Sequence, residues 1–211
     1  MNDEIEYIEE VTFKDYGAKA DTFWQRTKDH DVSQNYAAFL APFGEKSGLD
    51  ILDLGCGPGR DITFFKELGH NPVGLDGTAE FCQMARDMTG CPILEQSFND
   101  LDLEKHRFDG VFANASMFHV PSHNLSKVLD DLFNCLRPGG ILFTSNPRGD
   151  VEGWQDTARY GNFMEFDRSK KFLNAAGFSV LDHYYRPPNL PREEQKWLAM
   201  VCRAEGEKAV T

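Results

Sequence analysis

The stretch Ile51-Leu-Asp-Leu-Gly-Cys-Gly-Pro-Gly-Arg60 decides the fold. Its first four residues read as a short, buried strand. Gly55, Gly57 and Gly59 then allow a tight turn and let a ligand approach bare backbone amides. A helix starts at about Arg60. Downstream, Pro72–Leu75 is a second strand that ends on Asp76, twenty-one positions after Gly55. A carboxylate at that place accepts hydrogen bonds from two ribose hydroxyls. Strand, glycine loop, helix, strand and acid together make the plan of a nucleoside-cofactor site.

The loop also discriminates among nucleoside cofactors. It lacks the last glycine of G-x-G-x-x-G, because Arg60 stands there, and it lacks the Lys-Ser/Thr ending of a phosphate-binding loop. Asp53, at the mouth of the loop, repels a pyrophosphate but suits an ammonium group and a sulfonium. S-adenosyl-L-methionine is therefore expected, with S-adenosyl-L-homocysteine as its product. The residues expected to hold it here are Asp53, Gly55, Cys56, Gly57, Arg60, Asp76 and Gly77. Gln96-Ser97-Phe98, just past a third strand, can present a side chain and an amide to adenine, or be an ordinary polar loop. Asn114-Ala115-Ser116 follows a fourth strand, at the carboxyl edge where ligands of open sheets sit.

The rest of the chain alternates strand and helix. Helices are expected at Asp61–Leu68, Ala79–Met88, Asn124–Leu136 and Arg168–Ala176. Strands are expected at Asp50–Leu54, Pro72–Leu75, Ile93–Gln96, Phe108–Ala113, Ile141–Ser145, Phe178–Tyr185 and Trp197–Arg203. This pattern predicts an α/β fold: a Rossmann-like, mostly parallel sheet with helices on both faces. Residues 1–45 read as an N-terminal helical cap and 46–205 as the cofactor-binding domain, one structural domain overall. The first ten residues are acidic and are expected to be mobile, with helical spacing from Thr12 to about Phe43. Within the cap, Tyr16 and Trp24 can close over the cofactor or form the core of the cap itself. The turn-rich stretch Pro147–Phe166 is long enough to suggest a functional loop.

Composition limits the partners. With 22 Lys and Arg against 34 Asp and Glu, the formal charge is −12. Such a surface repels phosphate backbones, and no basic groove or polybasic helix compensates, so neither nucleic acid nor membrane is an expected partner. No apolar run approaches a membrane span, and the acidic opening is unlike a secretory leader. A cytoplasmic location is expected. Five cysteines without C-x-x-C spacing read as reduced thiols, and no metal site is expected.

These features resemble the class I S-adenosylmethionine-dependent methyltransferases, from about Tyr16 to Arg203. That resemblance implies a seven-stranded sheet whose last strand is antiparallel. A narrower resemblance rests on Thr27-Lys-Asp-His-Asp-Val-Ser-Gln-Asn35, Phe112-Ala-Asn-Ala-Ser-Met-Phe-His-Val-Pro-Ser122, Ser145-Asn-Pro-Arg-Gly149, Arg159-Tyr-Gly161 and His183-Tyr-Tyr-Arg-Pro-Pro-Asn-Leu-Pro-Arg192. Together they are similar to the C-terminal methyltransferase domain of ovothiol synthases. In that family an iron domain that inserts sulfur precedes the methyltransferase domain. No such domain is expected here. The resemblance then implies a free-standing enzyme that N-methylates 5-thiohistidine to ovothiol A, with a separate sulfoxide synthase as functional partner.

An imidazole acceptor needs alignment and a fixed tautomer more than a strong base. His119 is the first candidate for that role, although the same place suits a histidine that satisfies a loop carbonyl. His30, beside Asp31, is the second, although it can equally cap a helix. Asn146 can hydrogen-bond the acceptor's amino group or ring. The acceptor's carboxylate calls for a guanidinium, with Arg148 best placed in sequence and Arg159 and Arg186 behind it. Thr27, Phe118 and Tyr160 complete the expected acceptor pocket. A class I enzyme for another small amino-acid or thiol acceptor, and a non-catalytic cofactor-holding subunit, are the alternative readings.

Overall fold

A computed structural model describes residues 2–155 and 158–206. Met1 and positions 156 and 157 of the turn-rich stretch lie outside the described residues. Helices α1 (Asn2–Ala18), α2 (Ala20–Thr27) and α3 (Ser33–Leu40) come first. Strand β1 (Asp50–Leu54), α4 (Arg60–Glu67), β2 (Asn71–Asp76), α5 (Ala79–Thr89), β3 (Ile93–Glu95) and β4 (Phe108–Asn114) follow. Next come α6 (Ser122–Cys135), β5 (Leu136–Pro147), β6 (Val151–Trp154), β7 (Tyr160–Phe163), α7 (Phe166–Ala175), β8 (Phe178–Arg186) and β9 (Trp197–Ala204).

Seven strands form one sheet in the order β3-β2-β1-β4-β5-β9-β8. All neighbours from β3 to β5 are parallel, and β9 runs antiparallel to both β5 and β8. This is the Rossmann-like, mostly parallel sheet that the sequence pattern predicts, with the antiparallel strand that the resemblance to class I methyltransferases implies. The direction of winding reverses between β1 and β4. Their carboxyl ends therefore open the crevice in which such sheets hold ligands.

Side chains along β1 alternate between two cores, as a strand's period of two requires. Leu52 and Leu54 face a core closed by α6 and α7, which includes Leu125, Leu129, Leu132 and Leu173. Ile51 faces the other core, where Phe39, Phe65, Phe112 and Phe143 are fully buried. The Phe112 and Phe143 rings stack at 4.9 Å across the β4–β5 register. Each fully buried aromatic of this kind contributes about 2–3 kcal/mol. Phe39 and Tyr36 place α3 inside this core, so α1 and α2 are the helices that cap the crevice.

Two expectations need correction. The acidic opening is not a mobile tail but the first half of α1. Asp3, Glu4, Glu6 and Glu10 are exposed and Glu9 turns toward Ser97, while Ile5, Ile8, Thr12, Phe13 and Tyr16 make a half-buried or buried stripe at helical spacing. The long stretch after β5 contains the hairpin β6–β7, paired from Val151↔Phe163 to Trp154↔Tyr160. Short strands with a glycine in each, Gly153 and Gly161, hide the alternation that announces a hairpin.

Candidate active site

The loop after β1 turns on left-handed glycines, with φ of 77° at Gly55, 51° at Gly57 and 102° at Gly59. Gly59 also caps the start of α4. A Cβ on Gly55 would stand 2.3 Å from Ser116 Cβ, so the loop can lie against the end of β4 only if it is bare there. Ser116 completes the junction by donating to the Leu54 carbonyl at 2.6 Å. The amides of Gly55 and Cys56 both reach the Leu75 carbonyl, at 2.7 and 3.0 Å. Loop, β2 and β4 are thereby fixed to one another.

Above them lies a cleft of about 630 Å³. Gly55, Gly57, Asp76, Phe98, Ala115, Ser116 and His119 form its floor and walls, and Tyr16 and Phe23 of the cap close over it. Asp76 accepts from the Gly57 amide at 3.0 Å and the Thr78 amide at 2.8 Å. These bonds fix the carboxylate while leaving lone pairs for two hydroxyl donors. Burial raises its pKa from the usual carboxylate value, so neutral hydroxyl donors or a nearby cation suit it. None of the residues that line the cleft is a lysine or arginine. A pyrophosphate has no partner here.

Asp53 lies beneath the loop, 1% exposed, and its Oδ2 has no hydrogen-bond partner. Burial first, and then the charge of Asp61, push its carboxyl well above the ordinary range. Asp61 itself is held by Tyr36 Oη at 2.5 Å and by Arg60 Nε at 2.6 Å. Asn114 Nδ2 donates to Asp61 Oδ2 at 3.3 Å, Asn35 Nδ2 to Asn114 Oδ1 at 2.9 Å, and Tyr184 Oη to Asn35 Oδ1 at 2.9 Å. Every member of this network has a partner except the Asp53 oxygen. An ammonium group would supply the missing donor and relieve the repulsion. The set fits S-adenosylmethionine: Asp76, in the cleft wall, for the ribose, and Asp53, beneath the loop and outside the cleft lining, for the amino-acid end.

His119 stands at the edge of the cleft in a fixed tautomer. Its Nδ1 lies 2.8 Å from the Tyr160 carbonyl, which can only accept, so Nδ1 carries the proton. Nε2 then accepts from Tyr16 Oη at 3.0 Å. The Arg159 guanidinium hydrogen-bonds the Tyr16 oxygen in turn. Burial brings the His119 pKa down to about 4. The ring is neutral at ordinary pH and presents an acceptor, not a charge. Of the roles considered for it from sequence, the structure shows the carbonyl partner.

The other expected residues take different places. Phe98 lines the cleft, while Gln96 braces its own loop through both Asp102 backbone groups. Ser97 donates to Glu9 of α1. Cys56 is buried beneath the loop. Gly77 packs under the Phe13 ring, where a Cβ would meet carbon at 2.2 Å. Arg60 reaches the Thr27 carbonyl at 3.0 Å and so ties α2 to α4. Thr27 spends its hydroxyl on the Phe23 carbonyl. Trp24 lies outside the cleft lining, and the neighbouring Phe23 occupies the position proposed for it. His30 is exposed and lines neither cavity.

On the acceptor side, Asn146 Oδ1 accepts from the Phe118 amide at 3.2 Å and its Nδ2 donates to Thr144. Asn146 thus braces the turn that carries His119. Arg148 is fully engaged elsewhere: Nε on the Gln195 carbonyl at 2.6 Å, one NH on the Glu165 carboxylate, the other on the Arg192 carbonyl. Arg186 reaches the Asp31 carbonyl at 2.8 Å. Tyr160 Oη donates to Glu152 at 3.0 Å, so its backbone carbonyl, not its ring, meets His119. Sequence reading missed Ile8, Glu9, Thr12, Phe13, Phe23, Thr78, Phe81 and Asn99, all in the cleft lining. The inward stripe of α1 is the signal that could have found Ile8, Thr12 and Phe13.

The described residues contain no group of three or more His, Cys, Asp or Glu that could hold a metal, and no helix long and apolar enough to cross a membrane. The five cysteines are free. Comparison with known proteins adds a domain match. Residues 51–140 match the family described as methyltransferase domain. The malonyl-[acyl-carrier protein] O-methyltransferase of Pectobacterium atrosepticum is 32% identical over 134 residues, covering 59% of this chain and 52% of that protein. A trans-aconitate 2-methyltransferase of an Azoarcus species is 36% identical over 102 residues, covering 46% of this chain and 39% of its own. The chain thus spans about half the length, or less, of these relatives. Among solved structures, the Burkholderia thailandensis 1,6-didemethyltoxoflavin-N1-methyltransferase with bound 1,6-didemethyltoxoflavin and S-adenosylhomocysteine superposes with a TM-score of 0.76. It is 23% identical, and the match covers 92% of this chain and 88% of that one. Fold, glycine loop and family match agree: residues 51–140 match a methyltransferase domain, and the chain has the fold of S-adenosylmethionine-dependent methyltransferases.

Proposed function

We propose that the protein is an S-adenosylmethionine-dependent N-methyltransferase that methylates the imidazole ring of 5-thiohistidine to give ovothiol A. One observation carries this reading. The five stretches that resemble the methyltransferase domain of ovothiol synthases lie far apart in sequence, yet they bond to one another around the carboxyl ends of β4 and β5. Asn35 pairs with Asn114, Tyr184 with Asn35, His119 with Tyr160, Arg186 with Asp31, and the Ala115 amide with the Ser145 carbonyl. Their mutual contacts beside the cofactor cleft support this reading.

When bound, S-adenosylmethionine supplies an electrophilic methyl group on a sulfonium. The protein's own residues do the positioning. Asp53 and Asp76 anchor the two ends of the cofactor, and Phe13, Tyr16 and Phe23 cover it and exclude water. His119 Nε2, neutral, spends its one lone pair on the Tyr16 hydroxyl and so orients the Tyr16 oxygen, which can accept the N–H of the acceptor ring. The other ring nitrogen then turns its lone pair toward the methyl carbon. A histidine with so low a pKa fixes a tautomer but does not hold a proton, and the acceptor's thiolate balances the charge that the ring gains. Arg159, next to Tyr16, is assigned to the acceptor's carboxylate, since Arg148 is committed to Glu165. A separate sulfur-inserting sulfoxide synthase would supply the acceptor.

Incubation with S-adenosylmethionine and equal amounts of 5-thiohistidine, histidine and an ergothioneine-type thiol, read by mass spectrometry, tests this. One methyl on 5-thiohistidine is expected. Turnover of histidine alone would overturn the acceptor assignment and leave another small acceptor. Binding of S-adenosylhomocysteine with no transfer to any of the three would favour a cofactor-holding subunit.

A further inference from the structure

A second pocket, of about 490 Å³ with its open mouth included, lies on the far side of the Ala115–His119 turn. The turn divides the two spaces. Ala115, Ser116 and His119 face the cofactor cleft, whereas Met117 and Phe118 face the second cavity. No described residue lines both. The walls come from α6, α7, β5, β7 and β9, and no charged side chain is among them.

One polar group in this wall is unsatisfied. Asn162 is 2% exposed; its Nδ2 donates to the Val120 carbonyl at 3.1 Å, and its Oδ1 has no partner. Flipping the amide does not help, because Oδ1 would then face the Val120 oxygen. A buried acceptor left alone is costly, so each such group calls for a donor. The other amide in the wall, Asn146, is satisfied at both ends. Phe118 and Phe172 supply flat faces, and Met117, Met164 and Met200 supply soft, adaptable ones that suit aromatic rings.

We propose that this cavity is a second small-molecule site, for an uncharged, single-ring aromatic molecule with one O–H or N–H donor placed on Asn162 Oδ1. The site is separate from the cofactor cleft, so its test does not depend on which acceptor is methylated. Its occupancy bears on the reaction because Phe118 and His119 share one turn and their rings lie 4.0 Å apart.

Phenol and toluene are the probes, with methyl-¹³C-methionine NMR of the whole protein as the readout. Phenol is expected to shift Met117, Met164 and Met200 saturably and leave Met84 and Met88 of α5 in place. It should bind about tenfold tighter than toluene. A purely apolar cavity ranks them the other way, because phenol then loses its hydrogen bonds to water. Leu173→Phe and Leu129→Phe each fill the cavity from a different helix. Either one, if folded by circular dichroism, should abolish the shifts. Absence of shifts with phenol, or toluene binding at least as tightly, would overturn the proposal.

Discussion

Tyr16 Oη donates to His119 Nε2 at 3.0 Å, across 103 positions of sequence. The bond joins the capping helix α1 to the turn after β4. With Arg159 on the Tyr16 oxygen and the Tyr160 carbonyl on Nδ1, the cap helix α1 and the β6–β7 hairpin meet on one imidazole. The cap and the hairpin thus orient His119 together.

Tyr16→Phe keeps the ring over the cleft and removes only this donor. The turnover number should fall about tenfold, as expected for one lost hydrogen bond in a positioning group. Affinity for S-adenosylhomocysteine, measured by calorimetry, should stay within about twofold on the same scale. An equal loss in both would assign Tyr16 to cofactor binding alone.

Asp53 trades stability for binding. Its carboxyl is buried, unpartnered on Oδ2 and raised in pKa by burial and by Asp61. Asp53→Asn removes the charge at nearly constant shape. The cofactor-free protein should melt about 2–4 °C higher, corresponding to about 1 kcal/mol for a chain of this size. S-adenosylmethionine should bind at least about tenfold more weakly, because the ammonium loses its carboxylate. Differential scanning calorimetry and calorimetric titration read the two effects separately.

The low pKa of His119, about 4, makes stability depend on pH in a defined window. The folded protein holds the ring neutral, while the unfolded chain takes up a proton near the ordinary histidine value of about 6.5. The unfolded state therefore binds more protons between these values. The contribution is fully present above about pH 6.5 and is lost as pH falls toward 4. His119→Gln should reduce the stability lost between pH 7 and pH 4.5 by about 2 kcal/mol, read as the difference between urea midpoints at the two pH values.

Arg148 supports the structure on the acceptor side. Its guanidinium binds Glu165 and the carbonyls of Gln195 and Arg192, and stacks over the Tyr185 ring at 5.3 Å. Arg148→Ala should destabilise the protein by about 2–3 kcal/mol, since two carbonyls and a carboxylate lose a charged donor. The KM for the acceptor should change by less than about threefold at a temperature where the variant is folded.

The glycine loop and Asp76 were legible in sequence because their signal is local. A strand, three glycines and an acid at a fixed distance leave few other geometries. The seven-stranded sheet was legible from its apolar runs. Arg148 shows where local reading ends. A guanidinium at the end of a central strand is equally suited to a ligand or to a neighbouring loop, and only the return of residues 192–195 decides between them. His30 and Trp24 failed to reach the cleft for a related reason: a helix face is chosen by what packs against it, and α2 turns Phe23 inward instead. In α1 the acids dominated the reading, although Ile5, Ile8, Thr12 and Tyr16 already carried the helical period. The orphaned oxygens of Asp53 and Asn162 have no sequence signature, since a missing partner is a property of the folded surroundings.

Single-turnover transfer from S-adenosylmethionine labelled with ¹³C in its methyl group to 5-thiohistidine, followed by NMR, tests the proposed chemistry most directly. The expected result is one new ¹³C-methyl resonance coupled to the imidazole ring carbons, an N-methyl on the nitrogen nearer the amino-acid side chain. A methyl on sulfur, or none on the ring while the labelled cofactor stays intact, would contradict it.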